Sequence, residues 1–299
     1  MRWRLSKLSG DEQGIILGQL CNTLEPRLAM YFSSASSELR PLLTPAVRQQ
    51  LRADHEVAAA LCVKMGIRSC KELREATEVD WFDKGLSAAD LATLASLGSV
   101  LPALEELILI DSPDAAGPDG VQRLAEGLVA GALPAVTLLS MVSMHAGDAG
   151  ASALAAALDR GALPRLRILG LMKAAIGDAG LVALAPALRR RPELDTICLF
   201  VNPFGDEGLA ALVAPPPPAG APPLPTEGLR KLRTLYLDYT QVSDAGCAAL
   251  AAALGSGALP ALQTLKLDHI PASAAAIDAV RAALATSKAK RRSALPTSS

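Results

Sequence analysis

The sequence predicts an α/β solenoid, a horseshoe arc with a parallel concave sheet and convex helices, preceded by a small helical region. Three observations predict it. The apolar pattern L-x-x-L-x-L recurs as Leu104/Leu107/Leu109, Val136/Leu139/Met141, Leu166/Leu169/Leu171, Leu194/Ile197/Leu199, Leu232/Leu235/Leu237 and Leu262/Leu265/Leu267, with successive copies 32, 30, 28, 38 and 30 residues apart. Four copies reach a glycine nine residues past the last apolar position, at Gly150, Gly180, Gly208 and Gly246, each two residues after an acid, at Asp148, Asp178, Asp206 and Asp244. The 51% apolar fraction of the 299 residues includes only 2 Trp, 3 Tyr and 4 Phe, so the core must be assembled from many small side chains in regular order.

Each copy reads as a short strand, a loop, a helix and a return marked by proline. GLVALAPALRR from Gly180 and GCAALAAALG from Gly246 space their apolar residues for one helix face, and several copies close with G-A-L-P. One such unit cannot bury both its strand face and its helix stripe; stacked neighbours make a continuous core. The acid ahead of each helix is expected to accept hydrogen bonds from the free amides of that helix's first turn, where its charge suits the positive end of the dipole. Frequent alanine allows neighbouring helices to approach closely.

The regular units occupy residues 101–287, and residues 68–100 read as a degenerate capping repeat with Ala76, Val79 and Trp81 in the strand places and Leu94 on the helix. Trp81 is expected to cover the end of the core. The long 38-residue spacing is explained by the proline-rich insertion 214–226, a stiff extended spacer whose Pro222 and Pro225 also match P-x-x-P. Residues 1–67 form the helical region: Ser9 and Glu12 are placed as a capping box, and a later helix starts near Thr44 with Pro45 at its first position. The basic and polar residues 288–299 are expected to be a disordered tail.

The repeats resemble the leucine-rich repeat family, and their length with a full helix per unit resembles its ribonuclease-inhibitor-like class. The resemblance implies non-enzymatic binding of a protein or peptide on the concave face. The family's usual Asn, three residues after the last apolar strand position, occurs only as Asn202; Ser112, Met144, Ala174, Thr240 and Ile270 hold the other places. Residues 8–42, with L-S-G-D-E, I-I-L-G-Q-L and L-E-P-R-L, resemble an F-box, although Ser9 and Gly14 depart from it. That resemblance implies a ubiquitin-ligase adaptor as a partner, against the alternative of a helical cap without a partner of its own. A structural scaffold is a further alternative. A Ran-type GTPase activator, similar in its repeats, is the remotest, because the loops 110–119 and 142–149 carry no arginine.

Strand alternation sends the third, fifth, seventh and eighth positions of each unit to the concave side. The candidate partner-binding residues are therefore Leu138 and Ile168 at the third position; Tyr236 and Lys266 at the fifth; Ile110, Val142, Met172, Phe200, Asp238 and Asp268 at the seventh; and Val201 and Tyr239 at the eighth. The earlier units expose an apolar strip and the last two aromatic and charged groups, the types that anchor protein interfaces. No catalytic, metal or cofactor site is expected: His55, His145 and His269 lie in separate units, and neither H-E-x-x-H nor a glycine-rich phosphate loop occurs. Residues 101–287 hold 13 Lys and Arg against 18 Asp and Glu, which disfavours nucleic acid as a partner. No apolar run is long enough for a membrane span, Asp11 and Glu12 interrupt the N-terminus before any signal-like core, and the 5 cysteines show no paired spacing. Cytoplasmic localisation follows, with a nuclear alternative from Lys288, Lys290, Arg291 and Arg292.

Overall fold

The computed structural model describes residues 21–35, 41, 43–111, 113–214 and 228–294. Among these, the order is α1 (Arg27–Ala35), α2 (Pro45–Met65), α3 (Cys70–Glu75), β1 (Glu78–Phe82), α4 (Ala88–Leu97), β2 (Glu106–Ile110), α5 (Pro113–Gly127), β3 (Leu138–Val142) and α6 (Gly147–Asp159). There follow β4 (Ile168–Met172), α7 (Asp178–Arg189), β5 (Thr196–Cys198), α8 (Asp206–Val213), β6 (Thr234–Tyr236), α9 (Asp244–Ser256), β7 (Thr264–Lys266) and α10 (Ala274–Ala294). The seven strands form one parallel sheet in sequence order, each followed by a helix, and this is a leucine-rich repeat solenoid.

The register places equivalent repeat positions side by side: Leu139 pairs with Leu169, Leu169 with Ile197, and Ile197 with Leu235. Leu107, Leu169, Ile197 and Leu235 are all 0% exposed, so this position makes a continuous apolar seam against the helices from β2 to β6. The same seam begins one unit earlier, where Val79 and Trp81 pair with Leu107 and Leu109 and are buried. Helix α2 joins this core through Ala58, Leu61, Cys62 and Met65. It starts as the sequence indicates: Thr44 accepts the Val47 amide at 3.3 Å ahead of Pro45, and Gly66 ends it at φ 77°.

The acids cap helices, but not the ones expected. Asp148 lies in the first turn of α6, yet its Oδ1 accepts the amides of Gly177 at 2.7 Å and Gly180 at 3.0 Å, at the start of α7. Asp178 does the same for Gly205 and Gly208, Asp206 for Ser243 and Gly246, and Asp244 for Ser273. Each carboxylate thus caps the helix of the next unit, and the amphipathic unit period could not show this because it does not reveal which neighbour a first-turn acid faces. The recurring glycine makes room for that carboxylate: a Cβ at Gly180 would stand 2.5 Å from Asp148 Oδ1, and one at Gly246 would stand 2.4 Å from Asp206 Oδ1. Burial pushes the Asp206 carboxyl up, but hydrogen bonds from the Ser243 hydroxyl, the Ser243 amide and the Gly246 amide outweigh it and hold the group below its ordinary value.

Asn202, 2% exposed, forms a second tie between units. Its Oδ1 accepts the amides of Ala174 at 3.1 Å and Ile176 at 3.0 Å, while its Nδ2 donates to the carbonyls of Leu171 and Leu199. In the next unit Thr240 satisfies the Leu237 carbonyl locally at 2.8 Å, and in the two preceding units the equivalent Met144 and Ala174 are simply buried.

One expectation of the C-terminus is corrected. Residues 288–294, which composition alone assigns to a disordered tail, continue α10, and Arg291 donates to the Leu262 carbonyl at 2.7 Å, which ties this last turn to the return just before β7. Residues 295–299 lie outside the described residues, as do nearly all of the proline-rich insertion and most of the F-box-like segment.

Candidate recognition surface

On the five-residue strands β2 and β3 burial alternates, with Leu107, Leu109, Leu139 and Met141 inside and Ile108, Ile110, Leu138 and Val142 half-buried on the concave side. The third and seventh positions continue this way along β4 and β5 with Ile168, Met172, Thr196 and Phe200. Gly170 interrupts the fifth column: the Met172 thioether lies over it, 2.8 Å from where a Cβ would stand. The seventh-position row also begins earlier than the regular units, because Phe82 of β1 occupies that place and is 65% exposed. The degenerate first copy carried the signal, since Val79 and Trp81 fix Phe82 at the next outward position.

The eighth position does not follow simple alternation. Asp83, Ser143, Lys173, Val201, Tyr239 and His269 all adopt left-handed backbone, with φ from 50° to 59°. Their amides reach sideways to the seventh-position carbonyl of the next unit: Ser143 to Met172, Lys173 to Phe200, Val201 to Asp238 and Tyr239 to Asp268, at 2.8–3.1 Å. Asp111, at the eighth position of the first regular unit and so expected to face outward, also donates its amide to the next unit's Val142 carbonyl, at 3.3 Å, but its side chain turns inward. It is buried, and its Oδ2 accepts the Leu86 amide at 2.5 Å.

The structure brings seven of the candidate residues together around a hollow of about 510 Å³ on the concave side of the last three strands. Phe200, Tyr236 and Tyr239 supply aromatic surface, Val201 an exposed apolar rim, and Asp238, Lys266 and Asp268 the charged groups. The eighth lining residue, His269, was outside the predicted set. Its ring stacks on Tyr239 with centroids 4.4 Å apart and an interplanar angle of 16°. Asp238 Oδ1 accepts the Asp268 amide at 2.9 Å, and the Lys266 ammonium stands 4.0 Å from Asp268 Oδ2. Leu138, Ile168, Ile110, Val142 and Met172 lie outside this hollow, on the neighbouring apolar part of the sheet.

Cys198 lies at the fifth position beside Tyr236. Burial pushes its thiol up to about 11, so at neutral pH it presents a protonated, weakly polar group. Among the described residues there is no group of three or more His, Cys, Asp and Glu side chains able to hold a metal ion, and no helix long and apolar enough to cross a membrane.

The Leucine Rich repeat family model matches residues 228–251, which span the return into β6, the strand itself and the first part of α9. This match and the seven-stranded parallel sheet fit a leucine-rich repeat protein, a class whose domains generally bind proteins. Comparison with curated proteins gives no match.

Proposed function

We propose that the chain is a recognition protein that holds a protein or peptide partner on its concave face, with the hollow around Phe200, Tyr236 and Tyr239 as the anchor. The observation that carries this is the convergence of three aromatic side chains with Asp238, Lys266 and Asp268 in one open hollow of about 510 Å³. Large aromatic side chains bring much contact area at little conformational cost, and a curved sheet places them where a convex partner can bury them together. The half-buried row from Ile110 through Val142 and Met172 extends the contact over the neighbouring strands. The ubiquitin-ligase alternative depends on residues 8–42, which lie mostly outside the described residues, and no feature of the solenoid favours it.

Phe200→Asp tests the proposal. Proximity labelling identifies partners, and calorimetric titration then compares the parent with this variant and with Val182→Asp, a change at an exposed position of α7. Phe200→Asp should remain folded by circular dichroism and lose at least about 30-fold in affinity, about 2 kcal/mol, while Val182→Asp binds as the parent does. A folded Phe200→Asp protein that binds every partner as tightly as the parent would remove the concave face from the function.

A further inference from the structure

We propose that the hollow on the last three strands recognises a basic side chain, arginine or lysine, presented by the protein partner. This rests on the concave recognition proposed above and adds the chemistry of the residue that enters. The hollow carries two carboxylates, Asp238 and Asp268, against one ammonium, Lys266. The formal charges of these three groups sum to −1.

The existing pairing is incomplete. Lys266 lies at the outer limit of an ion pair with Asp268, 4.0 Å away, and both side chains are 55% exposed. Asp238 accepts a backbone amide, and among the described residues no basic side chain lies within ion-pair distance of it. The surroundings select the form of the cation that a partner would bring. Phe200, Tyr236 and Tyr239 line the same hollow, and aromatic faces attract a cation that is being stripped of water. His269 covers one face of Tyr239 at 4.4 Å and holds that ring in place at the rim.

An acidic or phosphorylated segment would meet two carboxylates, and an apolar side chain would desolvate Asp238 without replacing its water. A guanidinium satisfies both demands at once, because it can lie flat on an aromatic ring while its edge donates to a carboxylate. An ammonium satisfies the same groups as a point charge. Lys266 is then a competitor for the site, held at its edge until the partner's cation arrives.

Random peptides displayed on phage provide the probe. Selected peptides are synthesised and titrated against the whole chain, Phe200→Asp, the double variant Asp238→Asn/Asp268→Asn, and Lys266→Met. The asparagine variants keep a side-chain carbonyl for the Asp268 amide, and melting curves confirm that they fold. Peptides that depend on Phe200 should contain arginine or lysine. Replacing that residue by citrulline or acetyl-lysine should weaken binding about tenfold or more, and the double asparagine variant should lose about as much. Lys266→Met should bind the basic peptides about two- to threefold more tightly, a gain that general damage to the surface would not give. Phe200-dependent peptides that lack a basic residue, or that bind the asparagine variant unchanged, overturn the assignment of the cation and leave the concave surface standing. If no selected peptide depends on Phe200, both proposals fail.

Discussion

Substituting Gly246 by alanine should reveal whether the carboxylate ladder between units holds the solenoid together. Gly246 sits in the first turn of α9, and the new Cβ would meet Asp206 Oδ1 at 2.4 Å and Val242 Cγ1 at 2.8 Å. The carboxylate must withdraw, which removes a cap made of the Ser243 amide at 2.8 Å, the Ser243 hydroxyl at 2.5 Å and the Gly246 amide at 2.9 Å. Losing a cap costs about 1–2 kcal/mol and crowding a packed site about 1–3 kcal/mol, while alanine returns about 1 kcal/mol over glycine in a helix. The net expectation is destabilisation by about 1–4 kcal/mol in urea melts. Gly255→Ala in the same helix is the control, because no atom lies within 4 Å of its added Cβ and its backbone is not left-handed. It should be neutral or stabilise by up to about 1 kcal/mol. In an Asp206→Ala background, Gly246→Ala should cost at least about 1 kcal/mol less than it does alone, since the two changes strike one contact. Equal stability gains from Gly246→Ala and Gly255→Ala would refute the ladder as a source of stability.

Leu169 is 0% exposed at the centre of β4, and Leu169→Ala should destabilise the chain by about 2–5 kcal/mol in the same melts; a loss below about 0.5 kcal/mol would contradict the register. Asn202→Ala orphans the amides of Ala174 and Ile176 and the Leu171 carbonyl, so it should cost about 3 kcal/mol and speed hydrogen exchange at those two amides before the rest of the sheet. The Asp206 and Asp90 carboxyls are both held below their ordinary value in the fold: burial pushes each up but is outweighed, for Asp206 by the Ser243 and Gly246 donors and for Asp90 by Lys64 and Ser87. Their stabilising contribution is therefore complete above an unfolded carboxyl value of about 3.9 and lost as the pH falls through the lower folded values. The urea midpoint should drop from pH 5 to pH 3, and Asp206→Asn should make that drop shallower; an unchanged pH profile would show that this carboxylate is not coupled to folding.

The fold was legible because its signal is periodic in one dimension. Leu107, Leu139, Leu169, Ile197, Leu235 and Leu265 recur every 28–32 residues except for the 38-residue step across the proline-rich insertion, and a parallel sheet stacks equal positions whatever the loops do. The partner of Asp148 was not legible for the same reason. A first-turn acid can cap its own helix or reach the next unit, and the sequence pattern is identical in both cases. Only the lateral offset between adjacent helices, visible in the 2.7 Å contact to Gly177, decides it. The helical extension through Ala294 was hidden by composition: KAKRR looks like a solvated tail, yet alanine, lysine and arginine all favour a helix already nucleated by the packed residues Ile277, Val280 and Leu284.

The candidate site was legible where it depends on strand alternation and obscure where it depends on the loop that follows. Strand alternation put Phe200, Asp238 and Asp268 on one row, and these residues line the hollow. At the next position the backbone turns left-handed, at φ 57° for Val201, 55° for Tyr239 and 57° for His269, so alternation no longer decides where a side chain goes. What holds this strained backbone is the sideways bond from each of these amides in the interior units to the carbonyl of the next, 2.8 Å from Val201 to Asp238 and 2.9 Å from Tyr239 to Asp268. Equal conformations one strand apart translate equal side chains by about 4.8 Å. Tyr239 and His269 are therefore delivered face to face, and their 4.4 Å stack is a consequence of the repeat register before it is a feature of the site. His269 holds the same outward eighth position as Val201 and Tyr239, and its stack on Tyr239 comes from sharing that residue's backbone angle.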